Sequence, residues 1–293
     1  YVSTGDGAFD PAAGEYSNSY LAIAPDLSRV ENYFTPPNWQ QVSKRDLDLP
    51  SGGLLAFTYQ GEEILAGGGK ESIIYLLDAA NPGGETHQNA LYSSPVLANE
   101  GGALEEKGLW GSPAFWASAD NQSWLYFPVW GGLAGTAPRF PLTNGDTPHG
   151  SILAFNIVTS STGGPALKPA WISPDMNLPD APVVANGVLY ALATGENPRQ
   201  DHILGVTHYK SMEDWKHNLL TTAERAAGTH PAVLMALDAT TGKKLYDSKD
   251  SMKSWVHFTG LAVTGGRVFA VDHESRLYCF GLKAPGAEAA PNP

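Results

Sequence analysis

The chain is almost without cysteine. Cys279 is the only one in 293 residues, so no internal disulfide can form. It lies in the apolar run Leu277-Tyr-Cys-Phe280, where a small buried residue is expected. No run approaches the roughly 20 apolar residues that a membrane-crossing helix needs. Positive charge is scarce as well: 18 Lys and Arg face 30 Asp and Glu, a formal net charge of −12. Such a surface repels phosphate backbones at every approach and argues against a nucleic-acid partner. Several motifs are missing too. There is no Cys-x-x-Cys-His for a covalent haem and no Gly-x-Ser-x-Gly nucleophile elbow, and Gly67-Gly-Gly-Lys70 lacks the spacing and following helix of a phosphate loop. Helical periodicity is confined to 211–227, where Trp215, Leu219 and Leu220 are spaced to share one face.

What the chain does have is turns and short apolar runs. Glycine (32) and proline (22) are abundant, as expected for many short strands joined by tight turns. The clearest unit centres on Ala236-Leu-Asp-Ala-Thr-Thr-Gly-Lys-Lys-Leu-Tyr246, in which a strand ends in Asp238, a turn closes on Gly242 and a second strand begins. A short carboxylate can accept backbone N–H groups in such a turn, and glycine takes a positive φ there. Upstream, Ala181-Pro-Val-Val-Ala185 and Val188-Leu-Tyr-Ala-Leu-Ala193 flank Asn186-Gly187, a strong hairpin signal. These four strands, named A to D, recur along the chain.

The recurrence predicts an all-β protein, a β-propeller of four-stranded antiparallel blades. Three blades are complete (51–97, 109–173 and 180–249) and two are partial (1–36, lacking A, and 255–282, lacking D). Residues 283–293 read as a disordered tail. The strand-like start at Tyr1 and the missing A and D strands suggest the C-terminal portion of a longer chain. Its absent N-terminal blades would complete a ring of six to eight.

The long excursions all join B to C, at 5–19, 67–71, 130–150, 194–231 and 272–275. B–C and D–A connections leave a blade on one face, whereas the A–B and C–D turns leave on the other and are short here. The long-loop face is therefore the expected functional face. Its D–A segments carry Asp46, Asp48, Glu105, Glu106, Trp110, Asp175, Asp180, Trp255 and His257. Carboxylates there suit a cation, aromatic rings suit a planar ligand or a sugar, and His257 suits a general base. The structural alternative is inter-blade packing for Trp110 and Trp255 and turn capping for the acids. His202, His208, His217 and His230 lie in or beside 194–231, but their spacings match no compact metal motif.

The Leu-Asp-Ala-Thr-Thr-Gly-Lys-Lys-Leu-Tyr run at 237–246 resembles the repeat of the pyrroloquinoline-quinone-type propellers, whose D strand carries a Trp. Trp171 in Pro169-Ala-Trp171 matches that Trp, and Tyr246 stands at its place in the next unit. Thr4-Gly-Asp-Gly7, Gly67-Gly-Gly-Lys70 and Ser254-Trp-Val-His-Phe258 resemble segments of bacterial proteins with such repeats. The resemblance implies a periplasmic or extracellular location and one of two functions. The first is a non-catalytic binding or scaffold propeller whose loop face takes a small molecule, glycan or protein. The second is a dehydrogenase of alcohols or sugars using pyrroloquinoline quinone and Ca²⁺, with Asp46 and Asp175 as Ca²⁺ ligands, Trp110 and Trp255 as stacking surfaces, and His257 or Asp175 as the catalytic group. One cysteine rules out the adjacent pair found in many alcohol-oxidising relatives, which favours the binding module.

Overall fold

A computed structural model describes residues 1–99, 107–203 and 210–282. Five sheets, antiparallel but for one short parallel pairing in the third, follow one another along the described residues. The first contains β1 (Val2–Ser3), β2 (Tyr20–Ile23) and β3 (Val30–Phe34). The second contains β4 (Leu54–Tyr59), β5 (Glu62–Gly68), β6 (Ile74–Asp78) and β7 (Tyr92–Ser93). The third has β8 (Gly108–Leu109), β9 (Ala114–Ala117), β10 (Ser123–Trp130), β11 (Leu142–Thr143), β12 (Gly150–Thr159) and β13 (Pro165–Ile172). Of these, β9, β10, β12 and β13 form the four-stranded blade, while the two-residue β8 and β11 pair with β10 and β13. The fourth is β14 (Val183–Ala185), β15 (Val188–Ala193), β16 (Val233–Asp238) and β17 (Lys244–Asp247). The fifth is β18 (Ala262–Thr264), β19 (Arg267–Val271) and β20 (Leu277–Gly281).

Each gap between consecutive sheets is filled by one apolar cluster. Between the second and third, Ile64, Leu76, Leu125, Phe127 and Phe155 meet; between the third and fourth, Trp124, Tyr126, Trp171, Leu189 and Leu237. This explains why the central strands are apolar throughout rather than alternating. Successive side chains on β6 point to opposite faces, and both faces are covered: Ile74 and Leu76 face the third sheet, Tyr75 and Leu77 the first. The first strands of successive sheets also touch, β4 with β9, β9 with β14 and β14 with β18. Sheets stacked face to face with their first strands converging make propeller blades.

The turn after β16 locks two blades together. Asp238 Oδ1 accepts the N–H groups of Thr240 and Thr241 at 2.9 Å each, and both hydroxyls. Burial opposes ionisation of this carboxyl, but those bonds outweigh it and hold it below the ordinary range. The turn thus presents Ala239 to the preceding blade, whose Trp171 Nε1 and Tyr126 hydroxyl donate to Ala239 O at 3.0 and 2.9 Å. Gly242, at φ +69°, lies under the Trp171 ring, where a Cβ would fall 2.3 Å from Cε3.

Three expectations change. Cys279 is exposed, not buried. On β20, Tyr278 and Phe280 turn toward the fourth sheet, while Cys279 turns the other way opposite Phe269. No further sheet of the described residues covers that face. The helical segment at 211–227 is two helices, α2 (Met212–Asn218) and α3 (Thr222–Ala227), because Leu219 is extended at ψ 135° and a Thr221–Glu224 capping box restarts the helix. Trp215 and Leu219 therefore do not share a helix face. A further short helix, α1 (Trp39–Lys44), precedes the second sheet. Glu105, Glu106, His208 and the tail at 283–293 lie outside the described residues.

Candidate functional site

The D–A corners carry the site because they meet at the inner end of the blades. Gly111 N–H donates to Ser51 O at 2.8 Å, linking the corners that enter the second and third sheets. A Cβ on Gly111 would lie 3.0 Å from Ala181 N, so the third and fourth corners also touch. Asp180 Oδ2 then accepts the Gly260 N–H at 3.1 Å, joining the fourth corner to the fifth. Four successive corners thus form one continuous rim.

Aromatic rings gather on this rim. Trp110 stacks on Trp130 at 4.6 Å and 15°, and Phe258 lies parallel to both within 8°, at 5.9 and 6.1 Å. Trp130 is buried at the end of β10 and donates from Nε1 to Pro179 O at 3.0 Å, which fixes the stack. Phe258 sits at φ +47° and remains 46% exposed. A groove of about 300 Å³ runs between Pro50, Ser51, Trp110, Ser112 and Phe258.

Beside the stack is a buried lysine among acids. Lys70 Nζ lies 2.6 Å from Asp48 Oδ2, 3.4 Å from Asp46 Oδ2 and 5.4 Å from the Trp110 ring centre. Asp6 completes an acidic trio with ligand oxygens within 4.8 Å of one another, and it accepts from Asn18 Nδ2 at 2.7 Å. Burial raises the Asp6 and Asp46 carboxyls above the ordinary range and the neighbouring Asp48 charge adds to this, while Lys70 opposes both effects.

A second polar group lies beyond Phe258. The His257 ring is 4.2 Å from the Phe258 ring, and its Nδ1 is 2.8 Å from Oε2 of the buried Glu196. Arg225 reaches Glu196 Oε1 at 3.4 Å. A carboxylate can only accept, so Nδ1 donates a proton to Glu196. Asp180 is buried nearby, and burial raises its carboxyl despite the N–H groups of Ala181 and Gly260 and the charge of His257. Trp255 stacks on His273 at 4.1 Å.

Of the candidates read from sequence, Asp46, Asp48 and Trp110 gather around Lys70, while Asp180, Trp255 and His257 continue along the rim through Phe258. Asp175 stands apart, its carboxylate occupied by the His149 N–H at 3.0 Å and His149 Nδ1 at 2.7 Å. Lys70, Trp130, Glu196 and Phe258 escaped sequence reasoning. Lys70 had a local signal in its glycine run, but Glu196 had none, since its partner His257 is 61 residues away.

The fold and its rim define an all-β protein of propeller blades with an aromatic and acidic mouth. No family model and no curated protein matches the chain by sequence. Among solved structures, BamB from Moraxella catarrhalis aligns at 10% identity and a TM-score of 0.44, covering 91% of this chain. This chain spans 59% of that BamB chain. The computationally designed Ika4 protein aligns at 12% identity and a TM-score of 0.34, covering 80% of this chain and 96% of its own. The architecture therefore rests on the pairing and packing of the sheets themselves. No helix of the described residues is long and apolar enough to cross a membrane.

Proposed function

We propose that this chain is a binding module of the propeller class, which docks a ligand at the mouth formed by its D–A corners. The observation that supports this reading is the groove of about 300 Å³ lined by the Trp110 and Phe258 rings, with Trp130 stacked on Trp110, where three of the D–A corners meet. Apolar pockets with a few convergent polar groups are the usual form of a ligand site. The resemblance of the repeat supports a periplasmic or extracellular location.

The residues do not fit a quinone and Ca²⁺. Pyrroloquinoline quinone carries three carboxylates and needs cationic partners. Two cations beside the mouth, Lys70 and Arg225, are already paired with Asp48 and Glu196. Calcium wants six to eight oxygens from converging ligands, yet Asp46 faces Lys70 and Asp175 faces His149. Saturating pyrroloquinoline quinone with Ca²⁺ is therefore expected to leave both the melting temperature and the quinone absorbance unchanged. A saturable rise in melting temperature that disappears in Trp110→Ala would overturn the reading and restore the dehydrogenase.

A further inference from the structure

We infer that the ligand of this mouth is an extended basic segment of another protein, anchored by an apolar side chain in the groove and by a Lys or Arg on Asp46 and Asp6. The inference rests on the binding-module reading above. Its first support is the order of the surface. From the Phe258 ring the path runs 5.9 Å to Trp110, 5.4 Å on to Lys70 Nζ and 3.4 Å to Asp46 Oδ2. Extended chain advances about 3.3 Å per residue, so an apolar residue in the groove puts a side chain two to four positions along over the acids.

The second support is charge complementarity. Three carboxylates meet one ammonium in this cluster, and the ammonium lies closest to Asp48. Asp46 keeps 58% of its side chain in solvent and Asp6 is exposed, so both can be reached from outside. Burial and mutual repulsion raise both carboxyls, and an added cation relieves that repulsion. Lys70 already shows the chemistry a partner's basic group would meet, an ammonium held between an aromatic face and carboxylates. An acidic segment would be repelled. A neutral glycan could stack on the rings but would leave the acidic half of the surface unused. The chain's net charge of −12 also draws a basic partner toward the face before contact.

The test is selection from a displayed library of random decapeptides on the whole chain. Enriched peptides are then synthesised with a fluorescent label and titrated by anisotropy. The expected winners carry an apolar residue and a Lys or Arg two to four positions apart. Their affinity should fall at least about tenfold in Phe258→Ala and in the Asp6→Asn/Asp46→Asn double variant, and should weaken as salt is raised. All the altered side chains are exposed, and unchanged melting curves would show that the variants fold. Peptides that need Phe258 but carry no basic residue would overturn the inference and leave the binding-module reading standing. Basic peptides that bind both variants as tightly as the parent would overturn it too. Failure of the library to yield any binder at this mouth would count against both.

Discussion

Trp171→Ala lowers the melting temperature by about 6–20 °C, the largest effect expected of any single substitution in the molecule. The indole is fully buried, and truncating a buried Trp costs about 3–5 kcal/mol, worth some 2–4 °C per kcal/mol in a chain of this size. The loss reaches beyond the ring. Trp171 and Tyr126 share Ala239 O as acceptor, so the change also loosens the turn by which the fourth blade docks on the third. Gly242→Ala approaches the same contact from the other side. Both Gly242 and Gly61 have positive φ, +69° and +89°, so alanine at either carries the backbone penalty of about 1–2 kcal/mol. Only Gly242 would also drive a Cβ into the indole, since nothing lies within 4 Å of a Cβ on Gly61. Thermal denaturation of the two variants should therefore give a clearly larger loss for Gly242→Ala. Equal losses would mean that the ring has room to move and does not clamp the blades.

Lys70→Met is the second large effect, and it works through charge. Methionine preserves most of the volume but leaves Asp6, Asp46 and Asp48 without their cation. Removing one partner of a fully buried pair costs about 3–5 kcal/mol; because Asp46 is largely solvated, about 1–3 kcal/mol is expected here. The sign with pH follows from the carboxyls. Asp6 and Asp46 titrate above the ordinary value of 3.8 in the folded state, so the fold binds protons that the unfolded chain releases. Stability from this cluster is therefore greatest at acid pH and falls as pH rises through the raised values. Without Lys70 the fall steepens, so the variant's deficit should be small near pH 4 and full at pH 7. Ca²⁺ should then stabilise Lys70→Met while leaving the parent protein unaffected, because the ammonium no longer competes for the carboxylates. A parent protein stabilised by Ca²⁺ as strongly as the variant would contradict this account of the mouth.

The blades were readable from sequence because each strand is a short apolar run bounded by a turn signal, such as Asn186-Gly187 or Thr241-Gly242, and turn chemistry is local. Elements whose fate is set by neighbours were not. Cys279 looked like a core residue from its run, but its burial depends on whether another sheet covers that face of β20. The break between α2 and α3 was written in Thr221-Thr-Ala-Glu224, a capping box hidden inside a longer helical pattern. In the site, Trp110 and His257 stood out by residue type and position. Glu196 becomes meaningful only when the fold brings it to His257. Lys70 stands in a glycine run without the rest of a phosphate loop, and its role appears only once Asp46 and Asp48 fold back on it.

The central claim is that partners engage the mouth of the D–A corners. Its most direct test is site-specific photo-crosslinking in the protein's native cells, with a photoreactive residue placed at position 258 in one variant and at 186 in another. Position 258 is on the rim, whereas Asn186 is in the β14–β15 turn at the opposite end of the blades. The account predicts a discrete adduct from 258 and none from 186. An adduct from 186 alone would place the binding surface on the other face and contradict it.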